Sequence, residues 1–216
     1  MRTIIITMSG DPKMIFELIY NYFYEDFMND YIRKPLNAVD VTELISCPKK
    51  RLLKRLFPEE YVKIYKNPHI LLGLLAHKGF ETILKEQLIP TEVEKTIEVG
   101  DYIIRGKLDG YYQKNGMKIG LELKTTRKTP NEVRLINMRQ VQIYASLFDL
   151  DAMEILYISP NDYKAFLIQF SDNDKIDIEK TLYEYLKEKE PKFSWECNYC
   201  IFKNLPKELI SNVIHL

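Results

Sequence analysis

Hydrophobic and polar positions change period several times along this chain, and the changes mark its elements. Residues 2–7, RTIIIT, make an apolar run suited to a short strand of unassigned role. From Asp11 the pattern turns helical. Asp11 suits an N-cap, Pro12 the first helical position, and Ile15, Leu18, Ile19, Tyr22, Phe23 and Phe27 recur at helical spacing. An aromatic stripe of this kind reads as core. After Pro35 a helix from Thr42 runs into Cys47-Pro48, a second continues through Phe57, and a third spans 68–88. Residues 92–99 read as a strand closed by a Gly100-Asp101 turn, and two further strands follow at once. Pro130 is expected to open a helix ending at Phe148. Strands at 154–159 and 164–170 then flank a Pro160-Asn161-Asp162 turn, and a charged helix covers 174–189. Helices, three strands, a helix and two strands predict a single α/β domain with a mixed central sheet flanked by helices.

The two strands after Gly100 form the centre of the pattern, IIRGKLDGYYQKNGMKIGLELKTT from Ile103 to Thr126. Asn115-Gly116 is a strong signal for a two-residue type I′ hairpin turn. That turn pairs Lys114 with Met117, and counting outward sets Asp109 directly across from Glu122. Opposed residues have Cβ atoms ~4.5–5.5 Å apart, so two carboxylates there repel. A divalent cation with oxygen ligands would relieve the repulsion. Lys124 falls on the same face as Glu122, and Leu121 and Leu123 on the other. The bland alternative is a hairpin with one solvated face. Gly106 and Gly110 flank Asp109, and glycines within a strand mark close approach or a bulge, which would break the pairing count. The chemistry that fits Asp, Glu and Lys in one patch is metal-assisted phosphodiester hydrolysis with Mg²⁺ or Mn²⁺.

Composition adds bounds. The 216 residues carry 31 Lys+Arg and 31 Asp+Glu, so any nucleic-acid surface must be a local basic patch. Lys49, Lys50, Arg51, Lys54 and Arg55 are the densest such cluster, either a solvated helical face or a set of phosphate contacts. Hydrophobic residues at 46%, with 15 Tyr and 10 Phe, suffice for a packed core. No apolar run approaches the ~20 residues of a membrane span and no signal peptide opens the chain, so the expectation is a cytoplasmic protein. Three cysteines there point to a metal site or to nothing. His77 lies four residues after Gly73 and four before Glu81 on one helical face. Gln140 and Tyr144 share another helical face.

The sequence GKLDG, a turn, then LELKTT is similar to the core of the PD-(D/E)xK nuclease superfamily. More closely it resembles the RecB-like nucleases associated with CRISPR systems, the fourth numbered Cas family. The resemblance runs from Cys47 to Cys200 through five motifs in order. It implies a restriction-endonuclease-like core over about residues 68–172, with an N-terminal helical part at 11–67 and a tail at 190–216. It implies that Asp109 and Glu122 hold Mn²⁺ or Mg²⁺ with His77 and the Leu123 carbonyl, and that Lys124 serves the attacking water. Gln140 would orient the site and Tyr144 contact the nucleic acid. The implied activity is exonucleolytic trimming of single-stranded DNA ends for CRISPR spacer acquisition, with the integrase as partner. A viral or mobile-element relative, or a recombination nuclease beside a helicase, would carry the same motifs. Two other readings stand beside it: a catalytically weak scaffold that holds DNA or an integrase, and hydrolysis of another phosphodiester such as RNA.

In that family one early and three late cysteines hold an iron–sulfur cluster. This chain departs from the pattern: Cys47, Cys197 and Cys200 are present and the fourth cysteine is missing, with His215 the only later soft ligand. A cluster with an open or foreign fourth position, a zinc site completed by His or carboxylate, a redox C-x-x-C and a site without metal all remain open.

Overall fold

Asn115 and Gly116 both take positive φ, 52° and 81°, as a type I′ turn demands, and the hairpin around them anchors a mixed sheet. The computed structural model describes residues 13–188 and 191–206. Elements run in the order α1 (Lys13–Arg33), β1 (Ala38–Asp40), α2 (Val41–Leu44), α3 (Pro48–Leu56), α4 (Pro58–Val62) and α5 (Pro68–Glu86). Then come β2 (Thr91–Val99), β3 (Tyr102–Lys114), β4 (Met117–Thr125), α6 (Leu135–Phe148), β5 (Ala152–Ile158), β6 (Tyr163–Gln169), α7 (Ile178–Lys187) and α8 (Trp195–Asn198). Local chemistry sets several boundaries. The Asn67 side chain accepts a hydrogen bond from the His69 amide with Pro68 at the first helical position of α5, and Asp177 caps α7 through the Lys180 amide. Asp149 ends α6 in the left-handed region at φ 56°, its carboxylate held by Lys118 and Lys175 at 2.7 Å each.

β3 pairs antiparallel with β2 along one edge. Its other edge is shared by β1, parallel at residues 103–105, and by β4, antiparallel at 110–114. β4 pairs parallel with β5, and β5 antiparallel with β6. Helices α5 and α6 cover opposite faces. A Cβ added at Gly110 would meet Leu84 of α5, whereas one at Gly106 would run into Leu147 and Phe148 of α6. The core, including Ile104, Leu108, Val141, Leu147, Met153 and Ile155, lies on the α6 side. A second, small cluster joins Leu53 to Phe202 with Cys200 at its margin, so the early and late parts of the chain meet.

Three expectations need correction. The α1 stripe is not core: Ile15 is 68% exposed, Leu18 63% and Tyr22 49%, and only Phe23 of the set is buried. The helix is rotated so that Phe27 and Tyr31 stack, with Phe27 also against Tyr61 and Tyr65, and Lys54 lies over Phe27. The helix after β4 opens at Leu135, five residues beyond Pro130. Arg134 ties the intervening loop by donating to Thr126 Oγ1 at 2.7 Å, which holds it out of helical geometry. The short parallel strand β1 and helix α4 were not anticipated. Residues 2–7, the Asp11-Pro12 helix start and His215 lie outside the described residues.

Candidate active site

Asp109 sits where the β3–β4 hairpin comes apart. The predicted register holds from Lys114↔Met117 to Gly110↔Leu121, and the ladder stops one residue before Asp109. Side-chain alternation is broken here as well. Leu108 lies on the α6 side, since it would touch a Cβ added at Gly120 along with Leu150 and Met153, whereas Gly110 faces α5. Two residues of the same parity on opposite faces require an interruption at Asp109. Across β2 the corresponding residue is Glu92, in the left-handed region at φ 50°. Instead of pairing, Asp109 turns its Oδ2 to accept the Leu123 amide at 2.7 Å.

The break lets groups from both faces of the sheet converge. From α5, His77 Nδ1 comes within 3.4 Å of Asp109 Oδ2. Gly73, one turn earlier, lets that helix close on the end of β4: an added Cβ would sit 3.0 Å from Thr125 Oγ1. From the α6 side, Gln140 Nε2 donates to Glu122 Oε1 at 2.9 Å and lies 3.4 Å from the Tyr144 hydroxyl. Lys124 Nζ bonds the same Glu122 oxygen at 2.5 Å. Asn137, another residue on the inner side of α6, donates to the Tyr157 hydroxyl at 2.6 Å and fixes the helix against β5. This residue was missed in the sequence, although its three-residue spacing from Gln140 was a readable signal.

Electrostatics follow from this packing. Burial pushes the Glu122 carboxyl above the ordinary glutamate value, with Lys124 opposing and Asp109 adding to the rise. Burial would lower the Lys124 ammonium, but the Glu122 carboxylate outweighs it and holds it raised. The same contest, burial against the Asp109 carboxylate, leaves His77 raised. One carboxylate is therefore held by a lysine and the other by an imidazole. That is the donor set a hard divalent cation suits in kind: carboxylate oxygens beside an imidazole. Among the described residues no three His, Cys, Asp or Glu side chains already close around a common point. His77 and Asp109 are in contact, while Glu122 is turned to Lys124 and Gln140.

Other candidate residues fall elsewhere. Glu81 is engaged by Lys78 at 2.8 Å and by Lys85; burial works against these lysines, and they still bring its pKa down to about 2. Tyr144 is 3% exposed. In the basic cluster, Arg55 donates to the carbonyls of Lys34, Pro35 and Ala38, and Lys54 lies 4.9 Å from the Tyr61 ring centroid. Lys49, Lys50 and Arg51 are half-buried on α3. The cysteines are drawn toward one another across the chain. The Cys47 amide donates to Glu196 Oε2 at 2.8 Å, next to exposed Cys197, and Cys200 is half-buried. Three cysteines do not supply the four thiolates of an ordinary cluster.

No helix among the described residues is long and apolar enough to cross a membrane. No family model matches the chain. The CRISPR-associated exonuclease Cas4 of Saccharolobus solfataricus is 31% identical over 180 residues, spanning 78% of this chain and 87% of that protein. The crystal structure of SSO0001 superposes with a TM-score of 0.79 at 29% identity, covering 90% of this chain and 97% of the other. The restriction-endonuclease-like expectation for the mixed sheet is met. Identity at this level over most of both proteins, on a shared architecture, shows that the chain belongs to the family of the CRISPR-associated exonuclease Cas4.

Proposed function

We propose that this chain is a metal-dependent deoxyribonuclease that removes nucleotides from DNA ends, single-stranded ends above all. One observation carries the reading: at the broken β3–β4 ladder the His77–Asp109 contact adjoins the Glu122–Lys124 pair, Asp109 accepting the amide of Leu123 between them. Asp109, Glu122 and His77 would hold Mn²⁺ or Mg²⁺, with the Leu123 carbonyl as a further ligand. Such an ion, when bound, lowers the pKa of water and stabilises charge on a phosphoryl oxygen.

The protein's own groups do the rest. Lys124 keeps its proton, so it orients the water nucleophile by donation and offsets charge on the phosphate. Gln140 fixes the Glu122 carboxylate, and buried Tyr144 supports Gln140 rather than touching the strand. Lys49, Lys50 and Arg51 on α3 contact phosphates away from the cut. In this reading the protein works in the cytoplasm, trimming DNA for CRISPR spacer acquisition beside the integrase. The cysteine lobe at Cys47, Cys197 and Cys200, with or without a cluster, braces the chain ends.

The test is incubation of end-labelled single-stranded DNA with the protein and Mn²⁺ or Mg²⁺, with and without chelator, beside RNA of the same sequence. Progressive shortening of the DNA that chelator abolishes supports the reading. Intact DNA, with folded protein retaining the strand, would instead favour a binding scaffold. Equal loss of the RNA would remove the assignment to DNA.

A further inference from the structure

A cavity of about 270 Å³ opens on the α5 face of the sheet, beside the proposed catalytic centre. Leu84 and Phe80, on the turns of α5 that follow His77, form one wall, and Leu121 and Leu156 the other. Glu122 belongs to the lining, and Leu121 pairs with Gly110, the residue after Asp109. The cavity is therefore one strand position from the carboxylates. Its polar end is formed by Tyr112 and Glu154. The Tyr112 hydroxyl donates to Glu154 Oε2 at 3.2 Å, and the other Glu154 oxygen accepts no hydrogen bond from a described residue.

Apolar walls with a few convergent polar groups are what a heterocyclic base requires. The volume admits a single base, and the position fits the nucleotide adjoining the cut. Gly110 sharpens the shape, because a Cβ there would stand 2.8 Å from Leu84 and 2.9 Å from Leu121. A carboxylate acceptor selects an amino donor, as glutamate and aspartate do toward the cytosine N4 amino group. Thymine presents a carbonyl at that position and would set oxygen against oxygen.

Resting on the nuclease reading for its biological use, we propose that this cavity receives the base beside the scissile phosphate and that Glu154, braced by Tyr112, reads its amino group. Glu154 and Tyr112 are thus specificity residues rather than catalytic ones.

Two measurements on the full chain separate this inference from the nuclease reading. Calorimetric titration with dCMP and dTMP, Mn²⁺ present, should show dCMP binding about tenfold tighter, the low end of discrimination from one good base contact. Oligonucleotides alike except for a terminal dC or dT should differ by a similar factor in cleavage. Glu154→Gln, checked for folding by thermal denaturation, should bring both ratios to within about twofold. Tyr112→Phe, which keeps the ring, should reduce them. Equal dCMP and dTMP binding, or ratios unchanged in Glu154→Gln, would overturn the proposal even if DNA is cut. Selective dCMP binding without any cleavage would sink the nuclease reading and leave the base pocket standing.

Discussion

Replacing Gln140 by Leu tests whether the α6 face orients Glu122, the carboxylate proposed to act in catalysis. The amide donates to Glu122 Oε1 at 2.9 Å, and Lys124 is the other donor to that oxygen. A hydrogen bond to a charged group contributes about 1.5–3 kcal/mol, and Glu122 is buried, so water does not readily replace the lost donor. Each 1.36 kcal/mol of lost transition-state stabilisation is tenfold in rate. The expected result is a kcat/KM on end-labelled single-stranded DNA about 10- to 100-fold below wild type. Because the amide stabilises the ionised carboxylate, removing it raises Glu122 further, and the acid limb of the pH–rate profile should move to higher pH. Gln140→Glu, which sets a second carboxylate beside Glu122, should be worse than Leu. Circular dichroism melting of each variant separates a site effect from unfolding. A Gln140→Leu enzyme within twofold of wild type, with an unmoved acid limb, would refute the assigned role.

Two further outcomes concern the scaffold. Gly106→Ala drives a methyl into Leu147 and Phe148 of α6; overpacking costs about 1–3 kcal/mol. At about 2–4 °C per kcal/mol for this chain length, Tm should fall by about 2–12 °C, and a Tm unchanged within a degree would contradict the packing. Asp40 is bonded by Lys34 at 2.5 Å and Arg105 at 2.8 Å; burial acts against them, yet its carboxyl stays below the unfolded value of 3.8. A depressed folded pKa gives stability that is present above 3.8 and lost as pH falls through the folded value. Asp40→Asn should therefore cost about 3 kcal/mol in urea denaturation at pH 6, the low end for breaking a buried pair, with the gap to wild type narrowing toward pH 3. A gap independent of pH would contradict this.

Much of the candidate site's geometry was readable in the sequence because its determinants are local. Asn115-Gly116 demands positive φ, which sets the register as far as Gly110↔Leu121. Gln140 and Tyr144 lie four apart on a helix, and both turn inward. What was not readable depends on distant partners. Glu92, on another strand, takes the left-handed backbone across from Asp109, so the direct Asp109–Glu122 pairing becomes a fork. The flanking glycines announced an irregularity without giving its form. β1 is three residues long and exists by pairing parallel with β3, some 65 residues later. The α1 stripe misled because aromatic residues on two adjoining faces of that helix offered alternative packings. Tyr61 and Tyr65, which chose between them, lie on segments with no periodic signal. The Cys47 to Glu196 contact spans 149 residues and has no local signature.

The central claim is that the hairpin is the centre of catalysis, and the most direct measurement is end-labelled single-stranded DNA degradation with Mn²⁺ by wild type, Lys124→Ala and Lys124→Arg. Wild type should shorten the strand, Lys124→Ala should lose activity by about a hundredfold or more at a temperature where circular dichroism shows it still folded, and Lys124→Arg should recover part of the loss. Wild type and Lys124→Ala cutting equally well would place the activity elsewhere and contradict the account.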